Sequence, residues 1–182
     1  MKFRELFEMP ERIQQEEIQM PWKSADTSKK LWAMKLRGVP GAMIACHPVK
    51  NNAKQRMIIA YMQVNGGYQA ACGILAYPEG KAYRIDGVST MNAFKGNNLA
   101  FNMYSTIAFD KGVAVISDDV QTDGGAAIWK KLSQQFPGHV GATEGEVEDA
   151  VDVTEWKDGD PFTHAFTRLV LSPTGFRSAQ VA

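Results

Sequence analysis

One short turn in the sequence has residues of the kind that bind an anion. It runs Lys95-Gly96-Asn97-Asn98-Leu99-Ala100, between a predicted strand and an amphipathic helix. The first amides of a helix have no hydrogen-bond partner inside it, and the helix dipole makes this end positive. Lys95 adds a full positive charge. The turn therefore predicts a site for a phosphate or carboxylate group, although an ordinary loop at a helix start has the same composition.

Other patterns typical of catalysis or metal binding are weak. The three histidines are scattered, and Cys46-His47 with the distant Cys72 lacks the spacing of metal ligands. The sequence has no Gly-x-Ser-x-Gly elbow and no Gly-x-x-x-x-Gly-Lys-Ser/Thr loop. We therefore expect no metal. Both cysteines have apolar neighbours, so we expect buried thiols rather than a disulfide.

The composition is that of an ordinary globular protein. Of the 182 residues, 45% are apolar and 22% charged, and twenty basic residues balance twenty acidic ones. This balance gives no reason to expect nucleic acid as a partner. No apolar run approaches the roughly 18 residues of a membrane span, and no segment resembles a signal peptide. We therefore expect a cytoplasmic protein with no membrane partner.

The charge is distributed unevenly along the chain. Residues 1–56 carry eleven Lys or Arg against six Asp or Glu, whereas residues 144–160 carry eight acids and a single base, Lys157. Two solvated faces would explain this pattern. An acidic surface that attracts a cationic group would explain it equally.

The start of the chain is predicted to be a helical extension over residues 1–40. Apolar residues recur there at helical spacing. Residues 24–37 have two open interpretations, a helix capped by Asp26 or a strand. Residues 41–182 are predicted to form one domain.

From Gln55 on, the pattern predicts a three-stranded antiparallel meander. The apolar strands are separated by two turns rich in glycine. These strands are predicted over residues 55–64, 68–77 and 82–88.

After the meander, the apolar residues recur at the spacing of a helix. A helix from Leu99, ended by Gly112, precedes a short apolar strand over 113–116. That strand is too apolar for the surface, so we predict a buried parallel one. Asp123 is predicted to cap the next helix, whose buried stripe contains Trp129.

The tail is predicted to hold two further strands, over 147–156 and 162–171, joined as a hairpin at Asp158-Gly159. The fold class is therefore α/β. It is a mixed, mostly antiparallel sheet with a central parallel crossover, flanked by helices.

This order, with a glycine-containing turn opening the helix after the meander, resembles the GCN5-related N-acetyltransferase (GNAT) fold over roughly residues 55–171. In that family the turn follows Arg/Gln-x-x-Gly-x-Gly/Ala, and its amides bind the pyrophosphate of acetyl-CoA without a metal. Here Lys95, Asn98 and Ala100 stand at the three defined positions. The chain is most similar to small GNAT-like proteins of bacteriophages, in which "SD…Q…IW..L" follows the fifth strand. The matching residues are Ser117-Asp118, Gln121, Ile128-Trp129 and Leu132.

The resemblance implies a site for acetyl-CoA and a base. The turn would bind the pyrophosphate through Lys95, Gly96, Asn97, Asn98, Leu99 and Ala100, and the backbone at Val88 and Ser89 would pair with the pantetheine arm. Asp86 is the first candidate for the base that takes a proton from the amine, and Ser117 and Asp118 are the second. A surface carboxylate at Asp86, and a capping or loop acid at Asp118, are the plain alternatives.

The implied function is acetyl-CoA-dependent acyl transfer to an unidentified amine, on a small molecule or a protein. Residues 144–160 would attract a cationic acceptor. Many active members carry a Tyr where Trp129 stands, and an indole N–H is a hydrogen-bond donor that does not transfer a proton at neutral pH. The rival interpretation is a catalytically inactive GNAT-fold phage protein in the host cytoplasm, acting through a protein partner. A third is CoA binding without transfer.

Overall fold

The computed structural model describes residues 21–118, 121–164 and 166–176, with Pro21 and Trp22 described by their backbone alone. Its strands are β1 (Trp32–Lys35), β2 (Met43–Val49), β3 (Asn52–Val64), β4 (Gly67–Glu79), β5 (Ala82–Thr90), β6 (Ala114–Ile116), β7 (Val140–Thr143), β8 (Val151–Asp152) and β9 (Arg168–Leu171). Its helices are α1 (Leu99–Ser105), which continues into a π-helical turn over Thr106–Asp110, and α2 (Asp123–Gln135).

The strands are ordered β1-β2-β3-β4-β5-β6-β9-β7-β8. Pairing is parallel between β5 and β6 and antiparallel in the other registered pairs. The predicted mixed, mostly antiparallel sheet with one central parallel crossover is thus confirmed. Parallel neighbours need a long connection, which α1 supplies here.

The chain divides into two compact units. The first contains the described residues up to Tyr77, together with Gly87–Met103. The second contains Pro78–Asp86 and the described residues from Tyr104 onwards. The path of the chain therefore passes from the second unit to the first within β5.

The first unit is built on the predicted meander. Asn65 (φ 49°) and Gly66 (φ 83°) both take left-handed backbone, which the tight turn between β3 and β4 requires. β2 and the middle of β3, residues 57–61, are buried on both faces, which explains their continuous apolar sequence. On one face Met57, Ile59 and Tyr61 lie in a core cluster.

The second unit is built on β6, β9 and β7, with α2 packed among its buried residues. Trp129 and Leu132 are the buried residues of α2, as the apolar spacing predicted. The predicted cap at Asp123 is wrong by one residue. The Thr122 hydroxyl accepts a hydrogen bond from the Gly125 amide at 3.2 Å, and Asp123 is the first helical residue.

The predicted tail hairpin does not form. β9 pairs with β6 and β7, and the two-residue β8 pairs with β7. Gly159 (φ 92°) lies in a long loop between β8 and β9, so Asp158-Gly159 forms a turn without joining paired strands. The short strand β7 was not predicted.

Part of the predicted N-terminal helical extension, residues 1–20, lies outside the described residues. From Pro21 to residue 40 the structure shows one 3-10 turn (Pro21–Ser24) and strand β1, which pairs with β2. Of the two interpretations of residues 24–37, the strand is correct. The domain boundary at residue 40 stays a prediction. No helix within the described residues is both long and apolar enough to span a membrane.

Candidate functional site

The predicted anion-binding turn is an exposed, tightly wound segment of the first unit. A 3-10 turn over Asn92–Phe94 precedes it. The Phe94 carbonyl accepts hydrogen bonds from the amide of Asn97 at 3.4 Å and from its side-chain Nδ2 at 3.0 Å. The Asn98 carbonyl then accepts from the Asn102 amide at 2.9 Å, which begins the helical pattern of α1.

Two residues of this turn have left-handed backbone, Gly96 (φ 87°) and Asn98 (φ 53°). A Cβ on Gly96 would have no neighbour within 4 Å, so glycine is favoured there by its conformation rather than by lack of space. Asn98 stands where the GNAT pattern has glycine. Because Asn adopts this conformation more readily than most residues, the substitution keeps the backbone of the turn.

The side chains of the turn divide into two groups. Lys95, Gly96, Asn97 and Asn98 are exposed, whereas the side chains of Leu99 and Ala100 are buried. Leu99 and Ala100 could therefore contact a ligand only through their amides, which are the first of α1. The exposed side chain of Lys95 adds a positive charge at the first residue of the turn.

The end of β5 continues beyond the strand that pairs with it in parallel. Ala82, Tyr83 and Arg84 pair with Ala114, Val115 and Ile116, and β6 ends there. β5 runs on to Thr90, so it has six further residues past the last pair. Val88 and Ser89 lie on this extension, and Val88 is 36% exposed.

The two candidate carboxylates, Asp86 and Asp118, lie just past the last pair of β5 and β6. Asp86 is two residues after Arg84, and Asp118 is two residues after its partner Ile116, so the parallel register carries both to one end of this pairing. Both side chains are exposed.

Arg84 interacts with both of these carboxylates. Its pKa is raised above the ordinary arginine value, first by a hydrogen bond to Glu79, while partial burial opposes the shift. The charges of Glu79, Asp118 and Asp86 add to the increase. The Arg84 Nε to Glu79 Oε1 distance is 2.6 Å. Asp86 and Asp118 therefore lie near enough to Arg84 for their charges to raise its pKa, while Arg84 forms its ion pair with Glu79.

Ser117, the third candidate, is held by β9. Its side chain is 2% exposed, and its hydroxyl accepts from the Leu169 amide at 2.8 Å while donating to the Asp118 carbonyl at 2.8 Å. Its own amide donates to the Leu169 carbonyl at 2.8 Å. These contacts extend the β6–β9 pairing by one residue and favour a structural role for Ser117.

Trp129 is a core residue. It is 1% exposed and packs against Tyr104, with 5.6 Å between the ring centroids. Tyr104 is itself 4% exposed. Neither ring lies at the surface, so the structure offers no exposed phenol at the position where the resemblance implies an acid.

Comparisons with known proteins leave the family of this chain open. No family model and no curated protein match it. A structure search finds a protein from Bacteroides thetaiotaomicron assigned to the GNAT family of acetyltransferases, with 10% sequence identity and a TM-score of 0.39. The match covers 67% of this chain and 64% of the Bacteroides protein, so this chain spans less than two thirds of that protein's length.

Sequence reasoning missed the ion pair of Arg84 with Glu79 and the closeness of Arg84 to the two candidate carboxylates. A signal for Arg84 was present, because residues i and i+2 of a strand share a face and Arg84 is two residues before Asp86. Glu79 could not be found in this way, since its contact depends on the turn from β4 to β5. Among the described residues no group of His, Cys, Asp and Glu is placed to hold a metal ion.

Proposed function

We propose that this protein is an acetyl-CoA-dependent N-acyltransferase with a GNAT-like fold. The observation that carries the proposal is the extension of β5 beyond the end of β6, followed in sequence by the turn with left-handed Gly96 and Asn98. A strand with backbone groups past its partner can pair with an amide-containing ligand arm, and a helix start can hold a phosphate.

The donor would be bound by the first unit. Lys95 and the amides of residues 96–100 would hold the pyrophosphate, where full and partial positive charges act together. The backbone of Val88 and Ser89 would hydrogen-bond the pantetheine arm. The exposure of Lys95, Gly96, Asn97 and Asn98 fits this assignment, because nothing in the turn has to unfold to admit a ligand.

Asp86 is proposed as the base, with Asp118 as the alternative. The amine nitrogen attacks the thioester carbonyl, the carbon–sulfur bond breaks, and the amine's proton passes to a carboxylate directly or through water. The departing thiolate takes a proton from water or another group, because Trp129 is buried and its indole does not transfer one. Arg84, whose pKa is raised in part by the charges of Asp118 and Asp86, would supply a positive charge near the two carboxylates.

Thermal unfolding with and without acetyl-CoA tests the donor site. A ligand that binds only the folded state adds roughly 2.7 kcal/mol at about 100 times its dissociation constant. For a chain of 182 residues this corresponds to an increase in Tm of roughly 5–10 °C. Lys95→Glu should weaken binding roughly tenfold through loss of a charge-assisted contact. Lys54→Glu, which changes an exposed lysine on β3, is the matched control. An unchanged Tm at millimolar acetyl-CoA would overturn the proposal.

Turnover separates transfer from binding alone. With an amine that supports thiol release, Asp86→Asn should lower kcat by roughly 100-fold or more while leaving the acetyl-CoA dissociation constant unchanged. The exposed carboxylate Asp110 provides the control, Asp110→Asn. Full activity of Asp86→Asn would show that Asp86 is not the base and would favour Asp118 in that role.

A second candidate function is a GNAT-fold protein that does not catalyse and acts through a protein partner. The complete burial of Trp129 where the family has a proton donor favours it. Binding of acetyl-CoA without thiol release, over a panel of mono- and polyamines, would select a non-catalytic role. The amine class, the attraction of a cationic acceptor by residues 144–160, the link to phage proteins and the cytoplasmic location stay predictions.

A further inference from the structure

The turn from β2 to β3 carries cationic side chains at one end of these strands in the first unit. We call the basic tip Lys50, Lys54 and Arg56 on this turn and the start of β3, together with Lys23 on the 3-10 turn before β1. The three lysines are exposed and Arg56 is partly exposed. Neither the donor site nor the candidate bases proposed above include any of these four residues.

Backbone pairing places Lys23 beside Lys50. The Ser24 carbonyl accepts a hydrogen bond from the Lys50 amide at 2.6 Å, and Ala25 forms a β-bridge with Val49. Lys23 is therefore next in the chain to the residue that lies opposite Lys50. The 3-10 turn runs alongside the β2–β3 turn, so the four cations belong to one surface although they come from two separate segments.

A bulge in β3 widens the tip. Residues 53–55 lie opposite no residue of β2, because the register of the pairing shifts between Pro48 and Val49. Lys54 is the middle residue of this bulge, and its amide donates to the Asn52 side-chain oxygen at 3.1 Å. Bulges at the end of a strand pair redirect side chains, which here are polar or cationic.

Arg56 holds the bulge in place. Its Nη1 donates to the Ala53 carbonyl at 2.7 Å and to the Gln55 carbonyl at 2.8 Å. A carbonyl is neutral, so these bonds order the guanidinium without cancelling its charge. The bulge is therefore stabilised by a residue that also adds to the positive charge of the tip.

Carboxylates do not neutralise the basic tip. The sequence has no Asp or Glu from residue 27 to residue 78. Asp26, on the segment beside β2, forms an ion pair with Lys29 at 3.3 Å and accepts a hydrogen bond from the Ser28 hydroxyl. Within the described residues, the four cations of the tip form no ion pair. Because charges more than about 8 Å apart are screened at physiological ionic strength, the zero net charge of the whole chain does not cancel this local charge.

We propose that the basic tip binds the phosphate backbone of a nucleic acid without preference for base sequence. Lysine, arginine and amide side chains are the groups that contact phosphates, and the exposed Asn51 adds an amide between the lysines of the turn. A folded protein partner would need apolar or aromatic contacts, whereas the exposed side chains of residues 50–54 are lysine, asparagine and alanine. This binding goes beyond the proposed acyl transfer and does not depend on it.

Fluorescence anisotropy with a labelled DNA duplex of about 20 base pairs tests the proposal through its salt dependence. Four phosphate contacts predict that the affinity falls roughly 100-fold between about 50 and 200 mM salt. Lys50→Gln/Lys54→Gln should weaken binding and lower the slope of log Kd against log salt by about 2. Lys81→Gln/Lys130→Gln removes two exposed lysines of the second unit and is the matched control, which should bind like the natural chain. Circular dichroism verifies that each variant is folded.

Three comparisons make the result decisive. A second duplex of unrelated sequence should bind with nearly the same affinity, because phosphates are identical at every base pair. Polyglutamate of equal charge, and vesicles of phosphatidylserine and phosphatidylcholine in equal parts, should displace the duplex less well than unlabelled duplex does. Equal displacement would identify a general anion surface and overturn the assignment to nucleic acid. No anisotropy change at about 100 μM protein and 50 mM salt, or equal weakening in the tip and control variants, would overturn the proposal as a whole.

Discussion

At the scale of single residues, the most constrained ionisable group is His47. It is fully buried, with Nδ1 at 2.8 Å from the Lys29 carbonyl and Nε2 at 3.1 Å from the Tyr61 hydroxyl. A carbonyl can only accept, so Nδ1 carries the proton, and Nε2 accepts from the tyrosine. Both ring nitrogens are thus satisfied in the neutral form. This arrangement is that of a structural histidine.

Acidification is expected to destabilise the protein through His47. Burial lowers its pKa most, Lys30 lowers it further, and the Lys29 carbonyl and Asp26 oppose the shift. In the unfolded chain His47 therefore takes up a proton near pH 6.5, whereas in the folded chain it does so only at a lower pH. The His47 contribution to the free energy of unfolding should be constant above that pH and fall as the pH drops from about 6.5 to the folded-state pKa.

Urea titrations at several pH values between about 7.5 and 5 measure this slope. His47→Gln should be less stable at neutral pH and should lose the His47 part of the slope. Tyr61→Phe, which removes only the donor to Nε2, should cost roughly 1–3 kcal/mol. An unchanged slope in His47→Gln would show that His47 does not cause the pH dependence.

At the scale of elements, locally encoded structure could be predicted and non-local pairing could not. The β3–β4 hairpin was predicted because Asn65-Gly66 fits the turn and the strands beside it are apolar. β6 was predicted because its few residues are all apolar. The tail hairpin was predicted wrongly. β9 pairs with β6 and β7, and this pairing is not specified by a turn between neighbouring strands.

The candidate site follows the same division. The turn at residues 95–100 could be predicted because its conformation depends on Gly96 and Asn98, two residues with a strong local signal. The role of Ser117 was uncertain in the sequence because its hydroxyl is bonded to Leu169, 52 residues later. Distant pairing therefore decides which of the candidate polar groups remain accessible.

β7 was missed because it has only four residues and is interrupted by Gly141, and the structure explains this glycine. A Cβ on Gly141 would lie 2.6 Å from the Phe176 ring, which covers the strand at that point. Gly141→Ala should therefore destabilise the protein by roughly 1–3 kcal/mol through overpacking. Phe176→Leu should reduce this cost, because the smaller side chain leaves room for the methyl group.

A double-mutant cycle with equilibrium urea unfolding measures that coupling. The Gly141→Ala and Phe176→Leu effects should be non-additive by roughly 0.5–3 kcal/mol, with the double variant more stable than the sum predicts. Gly124 is an exposed helical glycine, and a Cβ there would lie 4.0 Å from the nearest atom, the Thr122 hydroxyl oxygen. Gly124→Ala is therefore a matched control that should be neutral or stabilising. Additive effects would mean that the Phe176 ring moves aside freely.

At the scale of the whole molecule, each unit has a buried interior of its own, and the two cysteines belong to the first. Cys46 on β2 and Cys72 on β4 are fully buried and form no disulfide, which confirms the predicted buried thiols. Burial raises the pKa of Cys72 to about 11, while a 3.2 Å hydrogen bond from Thr90 and one from the Gly73 backbone partly offset this. The thiolate, which is the reactive form, is therefore rare at neutral pH.

Both thiols are expected to report opening of the first unit. In the native protein, labelling by a thiol reagent such as iodoacetamide should be slower than for an exposed cysteine by roughly the equilibrium constant for opening. Lys81→Cys, at an exposed turn position, supplies that reference within the same chain. Because β2 and β4 both pair with β3, the two buried thiols should open together and show the same urea dependence. Mass spectrometry of each labelled cysteine over a urea series measures this. Fast labelling of Cys72 with Cys46 still protected would contradict cooperative opening, because it would require β4 to separate from β3 while β2 stays in place.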